Sequence, residues 1–443
     1  MLAIAWPASL AAILTPLLGL IDVAVLSRAE GADALAGASL AGSVIALVYW
    51  TLGFLRMSLS GLAAQALGRA DDIRLRAHLL QGVALGFAMG LLVLALSAPI
   101  IGISRLALAD SSQASPAAAQ AMATYLGIRL WGAPAALTTT ALVGWLTGQG
   151  RTGLMMLITV ATALINAGLS VLFVLAMERG IAGLALATVL AELSGLAIAL
   201  LGCAYVLGRR GSIFGGFRLD AAREGIGAVL SLNRDIFVRT LLLDVVFLSF
   251  ARFGAGFGDL TLAANHVLLN LVLTTSLLLD GTAIAAETFV GQALGSGRDR
   301  AGLFEAAWRR TAEVTAALAA ALCLALLLFG PALLRLIIGE GPETDAIFSE
   351  AMRFVPWAIL APLLVAPAYH LDGVYIGATR GAALRNTMGV SALVYLAAAA
   401  LLIPALGNHG LWLAFLIFMV ARGATLAAAW RGFSPLIAAA RRA

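Results

Sequence analysis

An eight-residue segment near the start of the chain, Leu20-Ile21-Asp22-Val23-Ala24-Val25-Leu26-Ser27, returns as Leu242-Leu243-Asp244-Val245-Val246-Phe247-Leu248-Ser249. Gln65-Ala66-Leu67-Gly68 returns as Gln292-Ala293-Leu294-Gly295. Gly144 to Arg151 aligns with Gly373 to Arg380, sharing both glycines of a G-x-x-x-G and the closing Arg. The offsets are 222, 227 and 229 residues, so order is kept and only connection lengths drift. A chain that repeats itself in this way must fold as two related units. Hydrophobic residues are 62% of its 443 positions and charged residues only 12%, against roughly a quarter charged in soluble domains. Mean hydropathy is +1.00. Such a chain cannot cover itself with polar surface, so lipid must be its solvent.

Apolar runs of spanning length, broken by Gly, Pro and charge, predict twelve helices, at 3–27, 34–67, 76–104, 117–147, 152–177, 181–207, 229–255, 259–294, 301–338, 343–378, 384–405 and 409–432. Several exceed the ~20 residues needed to span and should tilt, kink or project into water. The expected fold is an all-α integral membrane protein of twelve transmembrane helices in two six-helix lobes. The N-terminal lobe is placed at 1–207, a cytoplasmic inter-lobe loop at 208–228 and the C-terminal lobe at 229–443. Six is even, so both copies enter the membrane from the same side, as parallel repeats.

Orientation follows from arginine, the only strongly basic residue type used, since the chain has no Lys. The connections after runs 2, 4, 6, 8 and 10 and the C-terminal tail, with their flanking helix ends, carry 18 arginines. The opposite side carries Arg28, Arg105, Arg179, Arg252 and Arg335. Positive charge stays inside, so both termini are expected in the cytoplasm of a bacterial inner membrane. The net charge of +5 is thereby absorbed and needs no nucleic acid partner. The first apolar run is followed by Ser27-Arg28-Ala29-Glu30, which does not read as the cleavage site of a signal peptide. Cys203 and Cys323 lie in apolar runs of different halves, as small hydrophobes without metal or disulfide pattern. No Walker A loop encodes an ATP-driven pump, no G-x-S-x-G places a nucleophile, and His78, His266, His370 and His409 have no metal-ligand spacing. Neither an enzyme nor a cofactor is expected.

Acids inside apolar runs are the candidate functional groups, because an intramembrane carboxylate costs several kcal/mol unless it faces water, a partner or a proton. Asp22 lies near the outer end of run 1 and Asp244 at the matching place in run 7. Asp22 can serve a cavity open to the outside; the alternative is an interfacial or capping Asp. Asp280 and Glu287 stand seven residues apart in run 8, two turns on one helix face. They form either a proton or cation path, or a pair in which one acid meets Arg239 or Arg252. Asp372 of run 10, beside His370, either binds a cation or proton or is solvated or paired with Arg. Arg56 is a lone guanidinium in run 2, expected to meet a buried acid or a helix end. Asn166 and Ser170 lie four apart on one face of run 5, and Glu192 and Arg422 occupy equivalent places in runs 6 and 12. Pro7 and Pro16 remove donors from run 1, so it is expected to kink and could move Asp22.

Pro7 followed fifteen residues later by Asp22 resembles the first helix of the multidrug and toxic compound extrusion (MATE) family. Leu55-Arg56-Met57-Ser58, Gln65-Ala66-Leu67-Gly68, Leu232-Asn233-Arg234-Asp235, Leu371-Asp372-Gly373, Ile376-Gly377-Ala378-Thr379-Arg380 and Gly407-Asn408-His409 are similar to its DinF-like branch. The likeness runs from Pro7 to Trp430. It implies two six-helix bundles flanking a cavity, and export of amphiphilic or cationic organic compounds in exchange for H⁺ or Na⁺. It implies that Asp22 is the carboxylate linked to proton coupling and that Asn166 belongs to the same cavity, with Ser170, Arg56 and Met57 lining or supporting it. Four residues after that asparagine other members often carry Asp, where this chain has Ser170, so a cation cage built from two acids is incomplete. Asp372 falls about one turn from the cation-binding Asp of the NorM-like branch. The partners expected are small amphiphilic substrates, H⁺ or Na⁺ and membrane lipid, for a monomer. The other reading is a lipid-linked flippase or lipid-binding membrane protein.

Overall fold

The computed structural model describes residues 1–109, 115–213, 215, 218–297 and 299–433. All regular structure among them is helical: α1 (Leu2–Ala29), α2 (Ala32–Thr51), α3 (Phe54–Gly68), α4 (Asp72–Ala95), α5 (Ser97–Ala109), α6 (Pro116–Arg129), α7 (Ala133–Gly148), α8 (Thr152–Ser170), α9 (Gly180–Gly208), α10 (Leu219–Arg223), α11 (Ile226–Ala255), α12 (Asp259–Gly295), α13 (Arg300–Ile338), α14 (Pro342–Gly377), α15 (Gly381–Leu406) and α16 (Asn408–Ala428). Short α10 aside, these helices occupy the same stretches as the apolar runs. Among the described residues nine helices are long and apolar enough to cross a membrane.

Three runs that read as continuous are interrupted, two of them at a proline. Run 2 breaks at Leu52–Gly53, between α2 and α3. Run 3 breaks after Ala95, because Pro99 has no N–H to return to the Ala95 carbonyl. Run 4 passes through a 3-10 turn, Leu130–Gly132, where Pro134 likewise cannot bond back to Leu130. Pro7 and Pro16, by contrast, fall within one uninterrupted helix, α1; the side chain of Pro16 lies outside the described residues.

The chain divides into two compact units. The N-terminal unit is Leu10–Ala63 and Asp71–Gly227; the C-terminal unit is Met1–Ser9, Ala64–Ala70 and Ala228–Ala443. Each unit repeats the same helix crossing. In the first, α7 meets α3 at Gly144, where a Cβ would run into the Arg56 carbonyl. In the second, α14 meets α12 at Gly373, where a Cβ would run into the Ala283 carbonyl. Gly144 and Gly373 are repeat equivalents, and so are Arg56 and Ala283, so one small-residue contact has been built twice.

Within the C-terminal unit the two Gln-Ala-Leu-Gly segments meet. A Cβ on Gly68 would strike the Gln292 carbonyl, and one on Gly295 would strike the Gln65 carbonyl. Gln65 Nε2 then donates to the Gly377 carbonyl at 3.0 Å and to Thr379 Oγ1 at 3.1 Å. The unit's core is aromatic, with Phe250 edge-on to Trp412 at 5.2 Å. Its buried amides satisfy one another: Asn265 and Asn408 exchange hydrogen bonds of 2.7 and 2.9 Å, and Trp412 Nε1 donates to Asn265 Oδ1. In the N-terminal unit the described part of the 208–228 segment is tied to α4. Arg210 pairs with Asp72, Arg76 donates to the Ser212 carbonyl, and Gln81 donates to the Ala222 carbonyl.

Candidate functional site

Asp22 stands half-buried on α1, and Ser170 Oγ, closing α8, donates to Asp22 Oδ1 at 2.9 Å. The next six residues, Val171–Ala176, wind as a π-helix, a widened turn frequent at functional sites. One turn before Ser170, buried Asn166 donates through Nδ2 to Thr188 Oγ1 of α9 at 3.0 Å. Thr188 also hydrogen-bonds Tyr125 of α6. Four residues further along α9, Glu192 receives both guanidinium arms of Arg129 at 2.5 and 2.6 Å. Arg129 is only 7% exposed. It ends α6 at the 3-10 turn, and Gly132 in that turn gives Glu192 its room, since a Cβ there would meet the carboxylate. Tyr49 of α2 completes the cluster, with its hydroxyl 3.4 Å from Arg129 and its ring 5.4 Å from the guanidinium carbon.

Five helices of the N-terminal unit thus bring polar groups into one apolar body. The Arg129–Glu192 pair is internally neutral, and its guanidinium lies within electrostatic reach of Asp22. That leaves Asp22 as a single carboxylate facing a hydroxyl, beside a compensated ion pair. Such a group changes the local net charge by one when it takes or gives a proton.

A second cluster lies in the C-terminal unit. Buried Asp372 of α14 accepts from Arg239 of α11 and from Arg422 of α16, the latter at 2.6 Å. Arg422 also sits 5.7 Å from the ring centres of Tyr369 and Phe418. Asp372 therefore takes the Arg-paired alternative, and Arg239 meets Asp372 rather than an acid of run 8. Glu192 and Arg422, the equivalent pair of opposite sign, each bind a partner within their own unit. Asp280 of α12 is half-buried and within reach of the Tyr369 phenol, and Glu287, two turns on, is 1% exposed. Asp244 on α11, Arg56 and Met57 on α3 and Pro7 on α1 are all half-buried.

The sequence reading brought together Asp22, Asn166 and Ser170, and it missed Arg129, Tyr49, Tyr125 and Thr188. One signal was present. Arg129 and Glu192 are lone opposite charges in runs 4 and 6, and neither can stay unpaired in lipid.

Both copies of the duplication carry one family's signature: the MatE profile matches residues 7–172 and again 236–401. The chain is 36% identical to DNA damage-inducible protein F of Escherichia coli K12 over 428 residues, 97% of this chain and 91% of that one. It is 29% identical to the probable multidrug resistance protein NorM of Rhizobium meliloti over 258 residues, 56% of this chain and 52% of the relative. Among solved structures, a MATE protein in its bent conformation superposes with a TM-score of 0.85 at 17% identity, covering 99% of this chain and 95% of the other. The chain is a multi-pass membrane transporter, and it belongs to the MatE family, the multidrug and toxic compound extrusion transporters. The family is one of transporters, not of enzymes.

Proposed function

We propose that this chain exports amphiphilic or cationic organic compounds in exchange for H⁺, with Asp22 carrying the coupling proton. The observation that carries the reading is the placement of Asp22: a half-buried carboxylate on a membrane helix, hydrogen-bonded by Ser170 and beside the Arg129–Glu192 pair. Protonated from the outer side, Asp22 releases substrate; deprotonated, it permits rebinding. Asn166 supports the same cluster through Thr188. Ser170 in place of a second acid favours a proton over Na⁺, which needs several oxygen ligands. Asp280 and Glu287 are the next candidates for the ion path, with Asp244 in a lesser role and Asp372 as a fixed partner of two arginines. The two repeats act as lobes at 1–207 and 229–443, joined by a cytoplasmic loop at 208–228. The protein works as a monomer in the bacterial inner membrane with both termini inside.

The test is transport of a cationic dye by the purified protein in vesicles, under an imposed pH gradient and, separately, an imposed Na⁺ gradient. Asp22→Asn should keep the fold and lose pH-driven export, while Asp244→Asn loses less. Equal export by Asp22→Asn and wild type at matched protein levels overturns the role of Asp22. Export driven by Na⁺ alone would make the proton the wrong ion.

A further inference from the structure

A cavity of about 600 Å³ lies wholly within the C-terminal unit, where the start of α12, the end of α13 and the start of α14 meet. That volume falls in the ~300–1,000 Å³ range of small-molecule sites. Its walls are largely aliphatic: Leu262 and Val267 of α12, Ile337 and Ile338 of α13, and Ile347 of α14. Three polar side chains join them, Asp259, His266 and Thr344. Thr344 Oγ1 donates to the Gly341 carbonyl at 2.9 Å, and Asn270 Nδ2 lies 3.3 Å from His266 Nδ1. Asp259, exposed in the first turn of α12, makes no hydrogen bond or ion pair among the described residues. Arg335, the arginine nearest these walls in sequence, is already engaged, paired with Asp345 at 2.5 Å and 4.5 Å from the Phe348 ring centre. The same face of α12 continues polar, through exposed His266, Asn270 and Thr274 at four-residue spacing. Polar side chains exposed on a membrane helix face water rather than lipid, so the cavity is reached from an aqueous side.

From this arrangement we infer that the cavity binds one organic monocation with an apolar body, its charge against Asp259 and its hydrocarbon against the aliphatic walls. This reading rests on the proposed export of such compounds. It adds a second binding site for them, in the unit that does not hold Asp22, at the end that the proposed topology sets outside. A single uncompensated carboxylate repels an anion. A metal cation needs several oxygen ligands, which aliphatic walls do not supply. An organic cation is satisfied by one acid, and burial of its body against carbon supplies the rest of the affinity.

The test is calorimetric titration of the full chain in detergent with tetraphenylphosphonium, and with tetraphenylborate, which has the same shape and the opposite charge. Asp22→Asn is present throughout, since the neutral form of that site is the one proposed to release substrate. This protein should bind one tetraphenylphosphonium and no tetraphenylborate. Adding Asp259→Asn, on the surface, should weaken binding about tenfold, and Asp259→Glu in its place should restore it. Ala263→Phe narrows the cavity from α12 and should weaken binding with the carboxylate still present. The titration uses no gradient, so a failure of pH-driven export in vesicles and a failure of this site are separate results. Equal affinity with and without the Asp259 carboxylate, or equal affinity for the two ions, overturns the inference. Phosphatidylethanolamine displacing tetraphenylphosphonium, with its own binding lost in Asp259→Asn, would make the cavity a lipid site and would also overturn it.

Discussion

Arg129 is buried in an apolar unit with one compensating carboxylate, so Glu192→Gln removes the charge but not the size of its partner. Breaking a buried pair by one member is destabilising by about 3–5 kcal/mol, because the remaining charge has no counter-charge. The melting transition of Glu192→Gln in detergent should fall steeply, and Arg129→Met with Glu192→Leu should recover most of the loss. Asp372→Asn strands two guanidiniums by the same logic, and its loss of stability should appear whether or not a pH gradient is imposed. Asp22→Asn is expected to differ from both: the amide still accepts from Ser170, so melting is nearly unchanged and only pH-driven export is lost. Separating these variants by melting and by transport distinguishes acids that hold the fold from the acid that moves a proton. The sequence offered both Asp22 and Asp372 as intramembrane acids, with Asp22 the stronger candidate and Asp372 open to pairing with Arg. What divides them is whether an arginine from another helix reaches the carboxylate, which no spacing within one run records.

At the scale of helices, glycine placement decides how closely neighbours approach. Gly373 on α14 passes the Ala283 carbonyl of α12 with no room for a Cβ. Gly373→Val should destabilise by about 1–3 kcal/mol through overpacking. Gly42 on α2 has nothing near the position its Cβ would take, so Gly42→Ala should change the melting transition by at most about 1 kcal/mol, towards stability. The G-x-x-x-G spacing was visible in both copies before any contact was known, and each copy uses it against the matching helix. The breaks at Gly53, at Pro99 and before Pro134 were less visible, because an apolar run continues across them. Proline coincides with the breaks in runs 3 and 4 but leaves α1 a single helix.

For the whole molecule the arginine count makes a prediction that single residues do not. A cysteine at Glu224, in a background lacking Cys203 and Cys323, should react with an impermeant maleimide only after the membrane is permeabilised. Labelling in intact cells would reverse the proposed topology. Duplication, membrane solvent and helix placement were all set by composition and repeat pattern, because lipid forces backbone groups to bond within each segment. The tertiary structure decided which charges meet. Arg129 finds Glu192 across 63 residues and Arg239 finds Asp372 across 133. It also decided that the first nine residues of the chain and the end of α3 belong with the C-terminal unit, where Ser9 donates to the Leu278 carbonyl and Gly68 meets Gln292. Hydropathy depends on each residue's own transfer energy and can be read locally. Ion pairing and glycine crossings depend on atoms that the chain brings together only after its helices have packed.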